Sequence, residues 1–278
     1  MPELPEVESV LQCLTESSPS LIGRQVREVI ILRDSVVDGD PAEFIQALTG
    51  VTCQKILRHG KYLFFGFQDS RAKELRWMAL HLRMTGRLFL VPTDQASVRH
   101  TRLSLLLDHD VALRFDDPRA FGRAWMVADP SEVTNKLGDD ALLISKAAFV
   151  ENLLNVRRQM KPLLLDQSFV AGIGNIYADE ILFRARLHPL QISSELMPEE
   201  VCRLYDALHG VLVQAVTLKG ANIDGVFEAG SFPVAVYGRN RKPCPVCSTL
   251  IVKERLGQRG THYCPTCQPL MRKDVRGA

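Results

Sequence analysis

The sequence predicts an α+β chain of several domains: an antiparallel β-sandwich with flanking helices, then a helical region, then a short β-hairpin module. Three patterns indicate this order. Residues 25–127 hold alternating runs rich in β-branched and aromatic residues. After Asp129-Pro130-Ser131 the apolar spacing becomes helical, and near the C-terminus two cysteine pairs recur at a fixed spacing. We expect the first domain to end between residues 130 and 140.

The N-terminal region begins with a predicted amphipathic helix over residues 5–16. Pro5 suits the first helical position and Glu6 the first turn. Its apolar stripe consists of Val7, Val10, Leu11 and Leu14. Strand-like runs follow at 25–32, 51–67 and 76–91. The segments 103–107 and 111–115 alternate on either side of Asp108-His109-Asp110, which predicts a β-hairpin.

The middle region has helical periodicity in four segments, residues 146–156, 161–170, 176–185 and 199–218. Residues 219–240 are rich in glycine and are predicted as loop. We therefore expect domains at 1–133, 134–225 and 235–269.

Composition limits the function classes. The chain has 278 residues, 46% hydrophobic and 24% charged, as in an ordinary globular protein. We find no apolar run long enough for a membrane span and no secretory signal, so we expect an intracellular protein. Seven cysteines cannot all pair within the chain. We expect Cys13, Cys53 and Cys202 to be small buried residues in a reducing compartment.

The C-terminal cysteines form a C-x2-C-x16-C-x2-C pattern, which predicts a zinc site. Its ligands are Cys244, Cys247, Cys264 and Cys267. Four thiolates leave no open coordination position, so one Zn²⁺ ion would be structural; the alternative is two unrelated cysteine pairs. Such a module can bind protein or nucleic acid. Its surroundings favour nucleic acid, because nine basic residues follow Ala235: Arg239, Arg241, Lys242, Lys253, Arg255, Arg259, Arg272, Lys273 and Arg276.

Two further segments have a possible chemical role. Removal of Met1 would leave Pro2 with a free secondary amine, which can attack a sugar carbon and form an iminium. Glu3 beside it could transfer a proton; the alternative is simply a charged helix start. At 172–175, Gly-Ile-Gly-Asn precedes a helix, and we predict Asn175 as its N-cap. That helix start could bind a phosphate or be an ordinary capped terminus.

Taken together, these segments resemble the formamidopyrimidine-DNA glycosylases over essentially the whole chain. The matching motifs occur in the family's order: MPELPEVE, GKY at 60–62, HLRMTGR at 81–87, DPRAFG at 117–122, GIGNIYADEILF at 172–183, VYGR at 236–239 and QRGTHYCPTCQ at 258–268. The PELPE opening is similar to this branch rather than to the related endonuclease VIII branch. The resemblance implies a β-sandwich, a helix–two-turn–helix domain and a zinc finger that bind damaged double-stranded DNA.

The resemblance also implies roles for individual residues. Pro2 would be the nucleophile and Glu3 the proton donor in glycosidic cleavage. Lys61 would assist β-elimination, and Arg259 would assist δ-elimination and bind phosphate. Asn175 matches a phosphate-binding residue, and His100 and Arg157 lie at DNA-contact positions. Met84, Arg119 and Phe121 match the set that fills the gap left by an extruded base; the alternative for Met84 and Phe121 is the sandwich core.

Two segments depart from the family pattern. Residues 218–239 differ from the usual lesion-capping loop, which leaves the preferred base open. Arg99-His100-Thr101-Arg102 stands in place of a commoner Lys-His-Asp-His, and we expect this change to affect only DNA backbone contacts and affinity.

The function hypothesis is a bifunctional DNA glycosylase and abasic-site lyase of base excision repair, excising oxidised purines. The alternatives are a non-catalytic damaged-DNA-binding protein and the same chemistry directed at oxidised pyrimidines. Pro2, Glu3, Lys61 and Arg259 favour the enzyme. We expect a monomer in the cytoplasm, associated with the nucleoid, with no membrane partner and no small-molecule cofactor.

Overall fold

A computed structural model describes residues 2–69, 74–223 and 230–270. Contacts within the chain divide it into two compact units. Of the described residues, the first unit comprises those up to 136 together with 222 and 223, and the second comprises 137–221 and 230–270. None of the helices in the described ranges is long and apolar enough to cross a membrane.

The first unit contains two four-stranded antiparallel sheets. Its strands are β1 (Val26–Ile31), β2 (Thr52–His59), β3 (Tyr62–Gln68), β4 (Leu75–His81), β5 (Arg87–Pro92), β6 (Thr101–Leu107), β7 (Val111–Asp116) and β8 (Arg123–Val127). One sheet has the order β2-β3-β4-β8 and the other β1-β6-β7-β5. The predicted hairpin at 103–115 is confirmed as β6 and β7, whose register pairs Leu105 with Leu113. His109 and Asp110 have positive φ in its tight turn.

The core of the first unit lies between the two sheets. Residues of both sheets form one buried apolar cluster, including Phe65 and Leu80 from one sheet and Leu105 and Phe115 from the other. The predicted sandwich is therefore confirmed. The run 76–91, predicted as a single strand-like segment, contains β4 of one sheet and β5 of the other, separated by a turn.

Two longer helices and a short one accompany the sheets. Helix α1 (Leu4–Glu16) adds Val7, Val10 and Leu14 to the core, as its apolar stripe predicted. Helix α2 (Pro41–Leu48) was not predicted. Its signal was local, since the Asp40 carboxylate accepts a hydrogen bond from the Ala42 amide at 2.8 Å and Pro41 is the first helical residue. The short α3 (Ser131–Thr134) follows β8.

The second unit is mainly helical. After the short strand β9 (Asp139–Asp140) come α4 (Lys146–Leu154) and α5 (Met160–Leu165), then β10 (Val170–Ala171), α6 (Asn175–Arg184) and α7 (Pro198–Thr217). The predicted helix over 161–170 is wrong beyond Leu165. The Asp166 carboxylate accepts hydrogen bonds from the Ser168 amide and hydroxyl, at 2.9 and 2.7 Å, and this local turn competes with the helix.

The predicted terminal hairpin is confirmed within the second unit. Strands β11 (Val252–Leu256) and β12 (Arg259–Tyr263) pair antiparallel through a two-residue turn in which Gly257 and Gln258 have positive φ. The prediction for the isolated cysteines is wrong at two positions. Cys53 is buried, but Cys13 on α1 and Cys202 on α7 are exposed because they face away from the apolar stripes of their helices.

Candidate functional site

Pro2 and Glu3 lie at the start of α1. Both residues are buried, and Glu3 is the N-cap of the helix. Glu3 and Glu6 form a reciprocal capping box, in which the Glu3 amide donates to Glu6 Oε2 at 2.9 Å. Because the N-terminus of a helix carries partial positive charge, a protonated amine at Pro2 would be disfavoured there. Removal of Met1 would therefore leave an amine beside a carboxylate at a helix terminus.

Lys61 lies in the tight turn between β2 and β3, where Gly60 has a φ of +56°. Arg58 holds this turn: its guanidinium donates to the Gly60 carbonyl at 3.1 Å and forms an ion pair with Glu8 of α1. The Arg58 side chain is only 3% exposed. The turn that carries Lys61 is thus attached to α1, the helix that Glu3 caps. Glu8 was predicted only as an acidic residue of the first helical turn, and Arg58 had no predicted role, because their pairing joins residues 50 positions apart.

His81 ends β4 and pairs with Tyr62, the residue after Lys61. The two rings meet edge to face with centroids 4.6 Å apart, and His81 Nδ1 accepts a hydrogen bond from the Arg83 amide at 2.9 Å. Burial, with the nearby charges of Arg83 and Lys61, lowers the pKa of His81 to about 3. His81 is therefore a neutral imidazole that positions the turn after β4.

That turn holds Met84, and a second turn, residues 117–122, holds Arg119 and Phe121. All three side chains are exposed, Met84 by 38% and Phe121 by 46%, so the alternative of core residues is wrong. The Arg119 guanidinium stacks over the Phe121 ring, 4.7 Å from its centroid. Exposed apolar side chains beside a stacked arginine suit insertion into a base stack.

Asp117 organises both turns and is 1% exposed. Its carboxylate accepts hydrogen bonds from the Thr85 hydroxyl and from the amides of Arg119 at 3.2 Å and Gly122 at 2.8 Å. Gly122 must be glycine, because a Cβ there would lie 2.3 Å from the Phe115 ring. The spacing of DPRAFG therefore brings the amides of Arg119 and Gly122 within hydrogen-bonding distance of the buried Asp117 carboxylate.

His100, half-buried, lies just before β6, and its carbonyl accepts the Asp117 amide at 2.8 Å. Its Nδ1 has no hydrogen-bond partner among the described residues. This unsatisfied group is consistent with a role that involves a ligand.

Apart from the zinc ligands, three of the predicted residues belong to the second unit. Arg157 is exposed after α4, and Arg259 is exposed at the first position of β12, beside the hairpin turn. The prediction of Asn175 as an N-cap is wrong: Gly174 is the N-cap and Asn175 the first helical residue. The Asn175 side chain instead donates to the Gly260 carbonyl at 3.1 Å, because β12 lies beside the start of α6.

A network of buried charge that was not predicted holds β12 against α6. Lys161 and Asp179 are 1% and 0% exposed and form an ion pair at 2.6 Å. The Lys161 ammonium also donates to the Gly260 carbonyl at 2.9 Å, and Asp179 Oδ2 accepts the His262 amide at 2.9 Å. The sequence placed Lys161 and Asp179 in predicted helices, but only their buried contacts show that they hold β12 against α6.

The neighbouring Glu180 anchors the segment before the zinc module. Its carboxylate accepts the amides of Ala235, Val236 and Tyr237 at 2.8 to 2.9 Å. Burial raises the pKa of Glu180, although the three amides act in the opposite direction. Asp179 and Glu180 are adjacent on α6 and thus hold two different segments: Asp179 holds β12, and Glu180 holds residues 235–237.

The four predicted zinc ligands come together within the second unit. Their ligand atoms all lie within 4.8 Å of one another. The Sγ–Sγ separations include 3.4 Å between Cys247 and Cys264 and 3.8 Å between Cys244 and Cys267. Tetrahedral Zn–S bonds of about 2.3 Å require sulfur separations of about 3.8 Å, so these residues fit one zinc ion. The Val246 and Cys267 amides donate to Sγ atoms, as expected around thiolates.

Comparison with known protein families gives three consecutive matches. Residues 1–124 match the formamidopyrimidine-DNA glycosylase N-terminal domain, residues 137–225 match the H2TH domain of the same enzymes, and residues 241–270 match a zinc finger found in FPG and IleRS. These matches extend over both structural units.

Whole-chain relatives agree with the domain matches. Formamidopyrimidine-DNA glycosylase of Pelotomaculum thermopropionicum is 37% identical, covering 96% of this chain and 99% of the relative. The Roseiflexus enzyme of the same name is 40% identical, covering 96% and 100%.

Solved structures show the same fold. Lactococcus lactis Fpg in complex with DNA containing an abasic site superposes with a TM-score of 0.87 at 30% identity, covering 96% of this chain and 99% of that one. MutM with DNA containing carbocyclic 8-oxo-G gives 0.86 at 31%, covering 96% and 100%. The chain therefore belongs to the formamidopyrimidine-DNA glycosylase family.

Proposed function

We propose that the protein is a bifunctional DNA glycosylase and abasic-site lyase that excises oxidised purines, formamidopyrimidines and 8-oxoguanine, in base excision repair. The amine of Pro2, once Met1 is removed, attacks the sugar C1′ as the C1′–N bond to the base breaks. The proton of the amine leaves with the base. Glu3 then donates a proton to the ring oxygen O4′ as the C1′–O4′ bond breaks, which opens the sugar ring and leaves an iminium that joins Pro2 to C1′. Loss of a C2′ proton, assisted by Lys61, then expels the 3′ phosphate. A second elimination, assisted by Arg259, expels the 5′ phosphate, and water releases the sugar from Pro2.

The observation that supports the proposal is that Pro2 and Glu3 lie at the buried start of α1, the helix to which Arg58 attaches the turn that carries Lys61. Glu3 is fixed by its capping box at the positive end of α1, which favours a neutral amine at Pro2. The Arg58–Glu8 ion pair attaches the turn of Lys61 to the same helix. An amine nucleophile requires such a site, because it must be unprotonated and positioned close to a proton donor.

The exposed turns supply the recognition that base excision requires. A stacked base must be extruded at a cost of about a few kcal/mol. Met84 and Phe121 can occupy the space that it leaves, and Arg119 can donate hydrogen bonds to the orphaned opposite base. His100, Arg157 and Asn175 would contact the phosphate backbone, as would the zinc hairpin. We propose that the enzyme binds damaged duplex DNA as a monomer in the cytoplasm, without a small-molecule cofactor.

Residues 218–239 correspond to the lesion-capping loop of the family, on which the range of lesions depends. This segment departs from the usual pattern, and its residues 224–229 lie outside the described residues. Excision from a panel of duplexes with 8-oxoguanine, a formamidopyrimidine or an oxidised pyrimidine distinguishes the purine assignment from its pyrimidine alternative. We expect the purine lesions to be released faster.

Borohydride trapping tests the chemistry. Wild-type protein, shown by mass spectrometry to lack Met1, should form a covalent adduct with abasic and 8-oxoguanine duplexes. Pro2→Gly and a Met1-retaining protein should lose base excision while duplex binding largely survives. Pro5→Gly is the matched control, because it alters the same helix start but leaves the terminal amine intact. Full activity in a verified Met1-retaining protein would show that Pro2 is not the nucleophile, and binding without any adduct would favour the non-catalytic alternative.

A further inference from the structure

Arg102 occupies an irregular position in β6. Strand β6 pairs Thr101 with Asp116 and Leu103 with Phe115, so Arg102 is an extra residue in a β-bulge. Bulges redirect a side chain out of the regular alternation of a strand. Here the redirected side chain reaches the turn at residues 117–122.

The Arg102 guanidinium donates two hydrogen bonds to that turn. Nε contacts the Asp117 carbonyl at 2.7 Å, and Nη2 contacts the Pro118 carbonyl at 3.3 Å. In the other direction, the Asp117 amide donates to the His100 carbonyl at 2.8 Å. Three hydrogen bonds therefore connect residues 100–102 with residues 117–118. We expected the change at 99–102 to affect only DNA backbone contacts, but the Arg102 donors are directed at the protein backbone.

The turn has other attachments as well: the Arg119 amide donates to the Thr85 hydroxyl oxygen at 3.2 Å, and Arg123 Nη1 donates to the Ala120 carbonyl at 3.1 Å. Asp117 holds it from inside through the amides of Arg119 and Gly122. Arg119 and Phe121 themselves are exposed, so core packing does not fix them. Arg102 is bonded to the residue immediately before Arg119, so its side chain attaches the start of the turn to β6.

We propose that Arg102 is a positioning residue that sets the discrimination between opposite bases by Arg119, an inference that rests on the proposed function. A bidentate donor to a base edge discriminates only when it is held in a defined position. The bulge at Arg102 holds the turn at its base, while His100, a proposed phosphate contact, shares the same hydrogen-bonded segment. The position of the protein on the duplex and the recognition of the opposite base would thus depend on the same hydrogen bonds between residues 100–102 and 117–118.

The test compares wild type, Arg102→Ala and Arg102→Lys, with Arg27→Ala as the matched control. Arg27 is an exposed arginine at the other bulge formed by β6, in its pairing with β1, and has no role in the turn. Each protein is titrated with two duplexes that contain a stable tetrahydrofuran abasic analogue, opposite cytosine or opposite adenine, at fixed salt. Wild type should prefer cytosine. Arg102→Ala should reduce the ratio of the two Kd values by about fivefold, the loss of about one net hydrogen bond.

Two further measurements separate positioning from a general loss of binding. Arg102→Lys, which retains one donor, should restore part of the ratio, and Arg27→Ala should leave it unchanged. In an Arg119→Ala background, Arg102→Ala should have no further effect on the ratio. Hydrogen exchange of the free protein over residues 115–123 should be faster in Arg102→Ala than in Arg27→Ala.

The inference is overturned if Arg102→Ala weakens both duplexes by the same factor, if exchange over 115–123 is unchanged, or if wild type has no opposite-base preference. Because binding is measured on a duplex that cannot react, failure of the proposed chemistry has a different signature. A wild-type protein that discriminates in binding but forms no borohydride adduct would contradict the glycosylase proposal and leave the role of Arg102 supported.

Discussion

Two buried aspartates organise the two units in different ways. Asp117, in the sandwich unit, accepts hydrogen bonds from neutral donors, the Thr85 hydroxyl and two amides, all but one of them within five residues. Asp179, in the helical unit, pairs with the Lys161 ammonium and with His262, 83 residues along the chain. One carboxylate shapes a turn; the other attaches a separate hairpin to a helix.

The difference follows from what surrounds each aspartate. The sandwich has a large apolar core that stabilises it independently, so Asp117 needs only to order a surface turn. The apolar cluster around the hairpin is small: Val236, Ile251 and two zinc-ligand cysteines are its fully buried members in the described chain. We infer that the hairpin depends on metal binding and on buried charge for its stability. The sandwich needs neither, because it buries a large apolar area. Four predictions test this contrast.

The largest effect should come from removing a zinc ligand. Cys247→Ala should lose the metal and unfold the terminal hairpin without unfolding the sandwich, because structural zinc contributes on the order of 10 kcal/mol to local folding. DNA binding should be abolished. Zinc content, limited proteolysis and hydrogen exchange measure these effects, with Cys53→Ala, a buried thiol of the sandwich, as control. Less than one zinc per well-folded wild-type chain would contradict the assignment.

The next effect should separate the two aspartates directly. Asp179→Asn leaves the Lys161 ammonium buried without its anion and should destabilise the second unit by about 3–5 kcal/mol. Asp117→Asn removes part of a network in which the carboxylate is bonded only to neutral donors, and it should destabilise the first unit by about 1–3 kcal/mol. Urea unfolding, followed by hydrogen exchange of each unit, measures both. Equal losses would mean that the ionic character of the Asp179 network is unimportant.

The third effect concerns the pH dependence that His81 gives to the stability of the sandwich unit. The pKa of His81 is about 3 in the folded chain against 6.5 in its ordinary state, so the unfolded chain binds more protons between these values. The stabilisation is complete above pH 6.5 and decreases as the pH falls toward 3, by up to about 3 kcal/mol at pH 4. His81→Gln should flatten this part of the stability profile of the first unit. His109→Asn, at an exposed histidine, should not.

The smallest effect should appear at the exposed turn that Asp117 supports. Arg119→Ala should reduce excision opposite cytosine more than opposite adenine, compressing the ratio by about 1–3 kcal/mol. Arg157→Ala, at a proposed phosphate contact in the other unit, should lower both rates together and reduce the salt dependence. Single-turnover excision on duplexes that differ only in the opposite base measures this. If Arg119→Ala lowers both excision rates by the same factor, Arg119 contacts only the DNA backbone and does not recognise the opposite base.

Periodicity and spacing predicted the parts of this protein that depend on local sequence. Alternation identified the β6–β7 hairpin, the apolar stripe identified the core face of α1, and the cysteine spacing identified the zinc ligands. Where a local signal competed with periodicity, the prediction failed. The turn at Asp166 ended α5 early, and Gly174 rather than Asn175 capped α6.

By itself, the sequence determined the order of most elements, the zinc set and the motif at the N-terminus that we propose to be catalytic, because each depends on residues a few positions apart. Only the tertiary structure decided which charged residues are buried and what they hold. Arg58 bonds to Glu8, Lys161 to Asp179 and Gly260, and Arg102 to Asp117, across 15 to 99 positions. The periodicity of a strand or helix carries no information about such partners, since a hydrogen bond depends on which backbone segments the fold brings within about 3 Å.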